Sequence, residues 1–152
     1  MPITTRPAQA TDLPAVAALF DLYRQFYQQP ADAALALDFI QQRFHKAESV
    51  ILVAESADQL LGFCQLYPSF CSVEAQPIYV LYDLFVQPAA RQMGAGRALL
   101  LAAEVQARSQ GKARMDLTTA KTNLNAQALY ESLGWVRDEV FFAYNRSIAA
   151  TA

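Results

Sequence analysis

The chain has 152 residues, 54% of them hydrophobic and 17% charged, a composition that excludes a disordered chain and permits the core of one full domain. Twelve basic against fourteen acidic side chains leave a net charge of −2, which argues against a general nucleic-acid coat. No apolar run approaches the roughly 18 residues that span a bilayer, the first residues lack a signal-peptide pattern, and two cysteines are too few for a disulfide framework.

Taken in chain order, Ile3 to Arg6 reads as a first strand. Thr11 can cap a helix with Pro14 in its first turn, and Leu13, Val16, Ala17, Phe20, Tyr23 and Tyr27 then recur at helical spacing. Pro30 interrupts, and Asp32 restarts a second helix that runs to about Lys46. Val50 to Glu55 is a strand, Ala57 to Gln59 a turn, and Leu60 to Tyr67 its antiparallel partner. Pro68 to Gln76 is predicted as a loop and Ile78 to Val86 as a rich strand closed by Pro88. Gly94 to Gln110 is a helix stopped by Gly111, Met115 to Thr119 a strand, and Asn125 to Leu133 a helix ending at Gly134. Trp135 to Arg137 and Val140 to Ile148 finish the chain as two strands. The pattern predicts an α+β fold in a single domain, 1–152: a mixed, mostly antiparallel central sheet with helices on both faces.

Charge is unevenly placed. Residues 1–83 carry a net −5 and residues 84–152 a net +3, and six of the twelve basic residues lie between Arg91 and Lys121. A local cationic strip in an acidic protein suits a polyanionic small ligand, although solvated helix faces give the same pattern. Two of only five glycines, Gly94 and Gly96, sit between the strand ending at Val86 and the following helix. Glycine there lets backbone N–H groups converge, and the helix start adds unpaired donors and a positive dipole end. Together they predict a site for an anion such as a pyrophosphate, flanked by Arg91 and Arg97. A P-loop would need Gly-Lys-Ser/Thr, and a dinucleotide fingerprint a third glycine near Ala98 or Leu99; both are absent.

The run Leu84-Phe85-Val86-Gln87-Pro88 followed by Arg91-Gln92-Met93-Gly94-Ala95-Gly96 resembles the acetyl-CoA-binding signature of the GNAT superfamily of N-acetyltransferases. Downstream, Asn123-x-x-Ala126-x-x-Leu129-Tyr130-Glu131-x-Leu133-Gly134-Trp135 resembles the second signature of that superfamily. The resemblance covers nearly the whole chain and implies acetyl-CoA as co-substrate. It implies that Leu84, Phe85 and Val86 hold the pantetheine arm through backbone groups beside a β-bulge. It further implies that backbone N–H groups from Gln92 through Met93, Gly94, Ala95 and Gly96 to Arg97 hold the pyrophosphate. Asn123 matches a side chain that contacts the cofactor arm, and Tyr130 a tyrosine that protonates the departing thiolate. A homodimer is the superfamily's habit.

Such a transfer needs a neutral amine, a donor for the oxyanion and an acid for sulfur. Tyr130, with a phenol near 10, can protonate a thiolate whose thiol sits near 8.5. It can equally be a core aromatic, since Ala126, Leu129 and Leu133 lie on neighbouring turns. Asp83 is an acid in an otherwise apolar strand. It can be the base, or a structural anchor with proton loss through ordered water. Some relatives carry a carboxylate at the position of Tyr82, which simple alternation places on the face of Leu84, with Asp83 on that of Phe85. Tyr23, Phe26 and Tyr27 are a core stripe or border an acceptor pocket; Cys64 reads as a core residue and Cys71 as a loop thiol. The lone His45 makes a metal site improbable, and none is expected. The expectation is a cytoplasmic N-acetyltransferase acting on a small-molecule or protein amine, with no nucleic-acid or membrane partner. The competing expectations are a catalytically silent acyl-CoA-binding module and a nucleotide-binding protein.

Overall fold

Alternating apolar residues in VILVAES and IYVLYDLFV, set between amphipathic helical stretches, dictate a sheet covered by helices, and the computed structural model, which describes residues 2–149, has that form. In chain order the elements are β1 (Thr4–Pro7), α1 (Leu13–Phe26), α2 (Ala33–His45), β2 (Val50–Ser56), β3 (Gln59–Cys71), β4 (Gln76–Val86), α3 (Ala95–Ser109), β5 (Met115–Asp116) and α4 (Leu124–Ser132). Short 3-10 turns, Ala10–Asp12 and Pro88–Ala90, precede α1 and follow β4. The chain divides into two units, Met1–Thr118 and Thr119–Ala152.

The first unit holds a five-stranded sheet in the order β1-β2-β3-β4-β5, antiparallel except for the parallel β4–β5 pair. Cross-strand partners share a face, so Val53, Phe63 and Phe85 stand together, with Ile51, Gln65 and Asp83 in the adjacent row. Leu13, Val16, Ala17 and Phe20 of α1 and Ala36 and Ile40 of α2 pack on this face. Leu52, Cys64 and Leu84 turn to the other face. There α3 packs on β1 to β4 through buried Leu99, Leu100, Ala103 and Ala107. Each fully buried leucine or isoleucine contributes about 2 kcal/mol of apolar transfer.

Several predicted boundaries move for identifiable reasons. Asp12, not Thr11, organises the start of α1: its carboxylate accepts the Gln9 N–H (2.7 Å) and is gripped by both terminal nitrogens of Arg6 (2.7 and 3.0 Å), which holds it below the usual carboxylate range. The expected Pro68–Gln76 loop shrinks to a tight turn, because β3 continues to Cys71 and β4 begins at Gln76. Pro68 is tolerated because β2 pairs with β3 only as far as Leu66, so Pro68 has a strand neighbour on one side alone. β5 is two residues long instead of five.

In the second unit, Asn123 caps α4 by accepting the Ala126 N–H (3.4 Å). The helix ends in a glycine-dependent C-cap: Gly134 has φ +91°, its N–H bonds the Glu131 carbonyl (3.1 Å), and the Trp135 N–H bonds the Tyr130 carbonyl (3.0 Å). The two strands expected at Trp135–Arg137 and Val140–Ile148 do not form; residues 133–149 carry no regular secondary structure. The C-cap consumes the Trp135 N–H, and Asp138 draws the N–H groups of Val140 (2.8 Å) and Phe141 (3.2 Å) into a local turn that competes with a ladder.

Candidate active site

The unusual feature of β4 is one extra residue. Gln65 pairs with Asp83 but the next residue, Leu66, pairs with Leu81, so Tyr82 is left as a bulge. The bulge resets the alternation: Leu81 shares the face of Leu84, and Tyr82 turns to the face of Asp83, where its ring meets Tyr67 edge-on (5.9 Å between centroids). This corrects the placement of Tyr82 with Leu84. The Tyr23 hydroxyl of α1 pins the bulge by donating to the Tyr82 carbonyl (2.9 Å).

Beyond the bulge no strand among the described residues pairs with the outer edge of β4, since β5 meets it at Tyr79 and Val80. The Gln87 N–H bonds the Leu61 carbonyl on the β3 side (2.8 Å), so alternation turns the N–H and C=O groups of Val86 and Leu84 outward. Phe85 points inward and is buried in the α1–α2 core. Gly62, not singled out from sequence, permits this geometry: a Cβ there would lie 2.7 Å from the Phe85 carbonyl oxygen.

The chain then turns through Pro88–Ala90 into an extended Arg91. Arg91 Nε donates to the Val86 carbonyl (3.1 Å) and its guanidinium stands over the Phe85 ring (5.4 Å), so this side chain folds back on β4. Gln92 (φ +65°) and Gly94 (φ +91°) both adopt the left-handed region, and Gly94 is the N-cap of α3. The Ala98 N–H makes the first helical bond, to the Gly94 carbonyl (3.0 Å). The N–H groups of Ala95, Gly96 and Arg97 therefore precede the helical ladder, with the exposed Arg97 side chain and half-exposed Met93 beside them. An open strand edge continuous with a positively polarised helix end suits an extended ligand carrying phosphates.

On the α1 face, Asp83 is only 3% exposed, and burial pushes its carboxyl up to about 6 despite the hydrogen bond from Gln65 and the nearness of the Tyr23 hydroxyl. Gln65 Nε2 donates to Asp83 Oδ2 (2.5 Å), and Ser49 Oγ donates to Gln65 Oε1 (2.6 Å). Tyrosines surround the carboxylate. Burial and its negative charge raise the Tyr23 and Tyr27 phenols and lift Tyr67 to about 12; they also lift the Cys64 thiol to about 12. A carboxyl near 6 is about nine-tenths ionised at pH 7 and holds a proton more readily than an ordinary carboxylate, which suits a base working near neutrality.

Leu84, Phe85, Val86 and the residues from Arg91 to Arg97 thus lie on one continuous segment of the first unit, with Asp83 at its start. Asn123, the N-cap of α4, and Tyr130 within it belong to the second unit, where the Tyr130 and Trp135 rings meet at 6.0 Å across the C-cap. Gln65, Ser49 and Tyr67 were missed; the signal was a lone amide inside the apolar run LLGFCQLY. Among the described residues no three His, Cys, Asp or Glu side chains gather to hold a metal, and no helix is long and apolar enough to cross a membrane.

Comparison with known proteins adds an independent line. The model of the acetyltransferase (GNAT) family matches residues 16–135. The chain is 43% identical to the uncharacterized N-acetyltransferase YhfO of Bacillus subtilis (strain 168), over 95% of this chain and 97% of that protein. It superimposes on a crystal structure described as that of a probable acetyltransferase with a TM-score of 0.88 and 35% identity, covering 99% of this chain and 100% of the other. The aminoglycoside N-acetyltransferase AAC(6')-Iy in complex with CoA matches with a TM-score of 0.79, over 97% and 96% of the two chains; at 20% identity this is a likeness of fold.

Proposed function

Because the chain belongs to the acetyltransferase (GNAT) family, we propose that it moves an acetyl group from acetyl-CoA to a primary amine, with Tyr130 as general acid and Asp83 as base. The observation that carries this reading is the open edge at Leu84 and the Val86 N–H running into the unladdered N–H groups at the start of α3. The edge suits the amide-bearing pantetheine arm, and the helix end suits the diphosphate.

An alkylammonium with a pKa near 10.4 must lose its proton before it can attack. Asp83, poised near neutrality at the margin of an aromatic cluster, is the group suited to take that proton, directly or through water. The amine nitrogen then bonds to the thioester carbonyl carbon, the carbon–sulfur bond breaks, and the second proton of the acylated nitrogen passes through water to restore the Tyr130 hydroxyl. The departing sulfur takes its proton from the Tyr130 hydroxyl, a slightly uphill transfer that proximity must assist. Tyr130 is supported by its motif and by a C-cap that fixes its backbone through two accepted N–H bonds. The free thiols Cys64 and Cys71 suit a reducing compartment such as the cytoplasm.

The test is acetyl-CoA turnover with a panel of amines, comparing the parent with Tyr130→Phe. Acetylation of at least one amine, with a drop of about 100-fold in kcat and unchanged CoA affinity in the variant, supports the enzyme. CoA binding without turnover on any amine replaces it with a silent acyl-CoA-binding module. Tighter binding of ATP than of CoA rejects both.

A further inference from the structure

The only buried polar or charged side chains among the described residues are Gln65 and Asp83, and they bond to each other. They lie in one cross-strand row with Ile51, and Ser49, just before β2, completes the line at the margin of the core. A fully buried amide in an apolar sheet is costly unless both its ends are paired. Here both are: the oxygen accepts from Ser49 and the nitrogen donates to Asp83.

We propose that Gln65, seated by Ser49, is a positioning residue that holds the Asp83 carboxylate by Oδ2 and leaves Oδ1 as the oxygen that takes the substrate proton. The inference rests on the reading of Asp83 as base. A glutamine facing an ionised carboxylate must present N–H, which obliges its oxygen to find a donor elsewhere. Ser49 is that donor. Without it the buried amide oxygen lacks a partner, and the amide gains by turning its oxygen to a protonated Asp83 instead. The Ser49 hydroxyl therefore favours the carboxylate form of a group two strands away. Other titratable groups within reach of Asp83 are Tyr23 and Tyr27 from α1, Cys64 and Tyr67 from β3, and Tyr82 from β4. Arg43 of α2 lowers Tyr67, while Glu48, just beyond that helix, raises it. Of these the Tyr23 hydroxyl also lies against Asp83, but it donates its one proton to the Tyr82 carbonyl, so the bond to Oδ2 falls to Gln65.

The experiment follows Asp83 by its side-chain carboxyl carbon resonance in the full chain, alongside the pH profile of kcat/KM, in the parent, Gln65→Leu and Ser49→Ala. Leucine fills a similar buried volume, and Ser49→Ala, at a half-buried position, removes one oxygen only. In Gln65→Leu the midpoint and the acidic limb are expected to rise together by about one pH unit. Activity then falls about five-fold at pH 6 and recovers near pH 8, which a general loss of structure does not produce. Ser49→Ala is expected to shift both the same way by less. A midpoint unmoved in Gln65→Leu overturns the proposal. A midpoint that rises while the limb stays put upholds the hold on Asp83 and removes Asp83 as the base.

Discussion

In the role of base proposed for it, Asp83 would trade stability against chemistry. Its carboxyl is raised from 3.8 to about 6 by burial, so the folded state binds its proton more tightly than the unfolded chain does. Its contribution to stability is whole below about pH 4 and is lost as pH rises through about 6. Asp83→Asn should therefore melt higher than the parent at pH 8, by roughly 2–3 kcal/mol, with the advantage shrinking below pH 4, while kcat/KM collapses. Thermal melts across that pH range check the sign. Asp83 stood out in the sequence because an acid inside an apolar strand needs a reason. The orientation of its neighbour did not: the resemblance implied a bulge beside Leu84, but nothing in IYVLYDLFV says which residue is inserted, and that decides whether Tyr82 falls beside Leu84 or beside Asp83.

Helix ends and close strand approaches set the next scale. α1, α2, α3 and α4 finish in the same two-bond C-cap, but the left-handed position is Gly111 after α3 and Gly134 after α4, against Gln28 after α1 and Ala47 after α2. Alanine in that region costs about 1 kcal/mol, so Ala47→Gly is expected to stabilise by about 0.5–1 kcal/mol, read as a higher urea midpoint with an unchanged slope. Two glycines beside the site should fail for opposite reasons. Gly62→Ala drives a Cβ into the Phe85 carbonyl and must push β3 from β4, costing about 1–3 kcal/mol and weakening acetyl-CoA binding. Gly94→Ala meets no neighbour within 4 Å, so its cost, about 1–2 kcal/mol, comes from φ +91° alone. Urea unfolding with calorimetry of CoA binding separates the two. Gly94 was legible because it broke a strand–helix junction. Gly62 was not, since the atom that excludes a side chain belongs to a strand 23 residues away, and only pairing brings it near.

For the molecule as a whole, the order of helices and strands through α4 was legible because each carries its own periodicity and breakers. Pro68 misled, since its tolerance depends on where β2 stops pairing. The terminal segment also misled: Val140 to Ile148 has a strand's composition but no ladder. Its Val136, Val140, Phe141, Phe142, Tyr144 and Ile148 are between 79% and 92% exposed. Arg137 and Arg146 balance Asp138 and Glu139 there, so two copies could meet without net repulsion. If the expected homodimer forms through it, light scattering will give twice the chain mass for the parent and the single mass for Phe142→Asp, with CoA affinity retained. The residue inserted at Tyr82 matters at this scale too. It acts as a phase break in a long strand, so the half that meets β5 and the half with the open edge need not keep step. Substitutions that re-space one half leave the inward and outward registry of the other alone, and such a scaffold can change what it accepts without relearning how to grip the donor proposed for it.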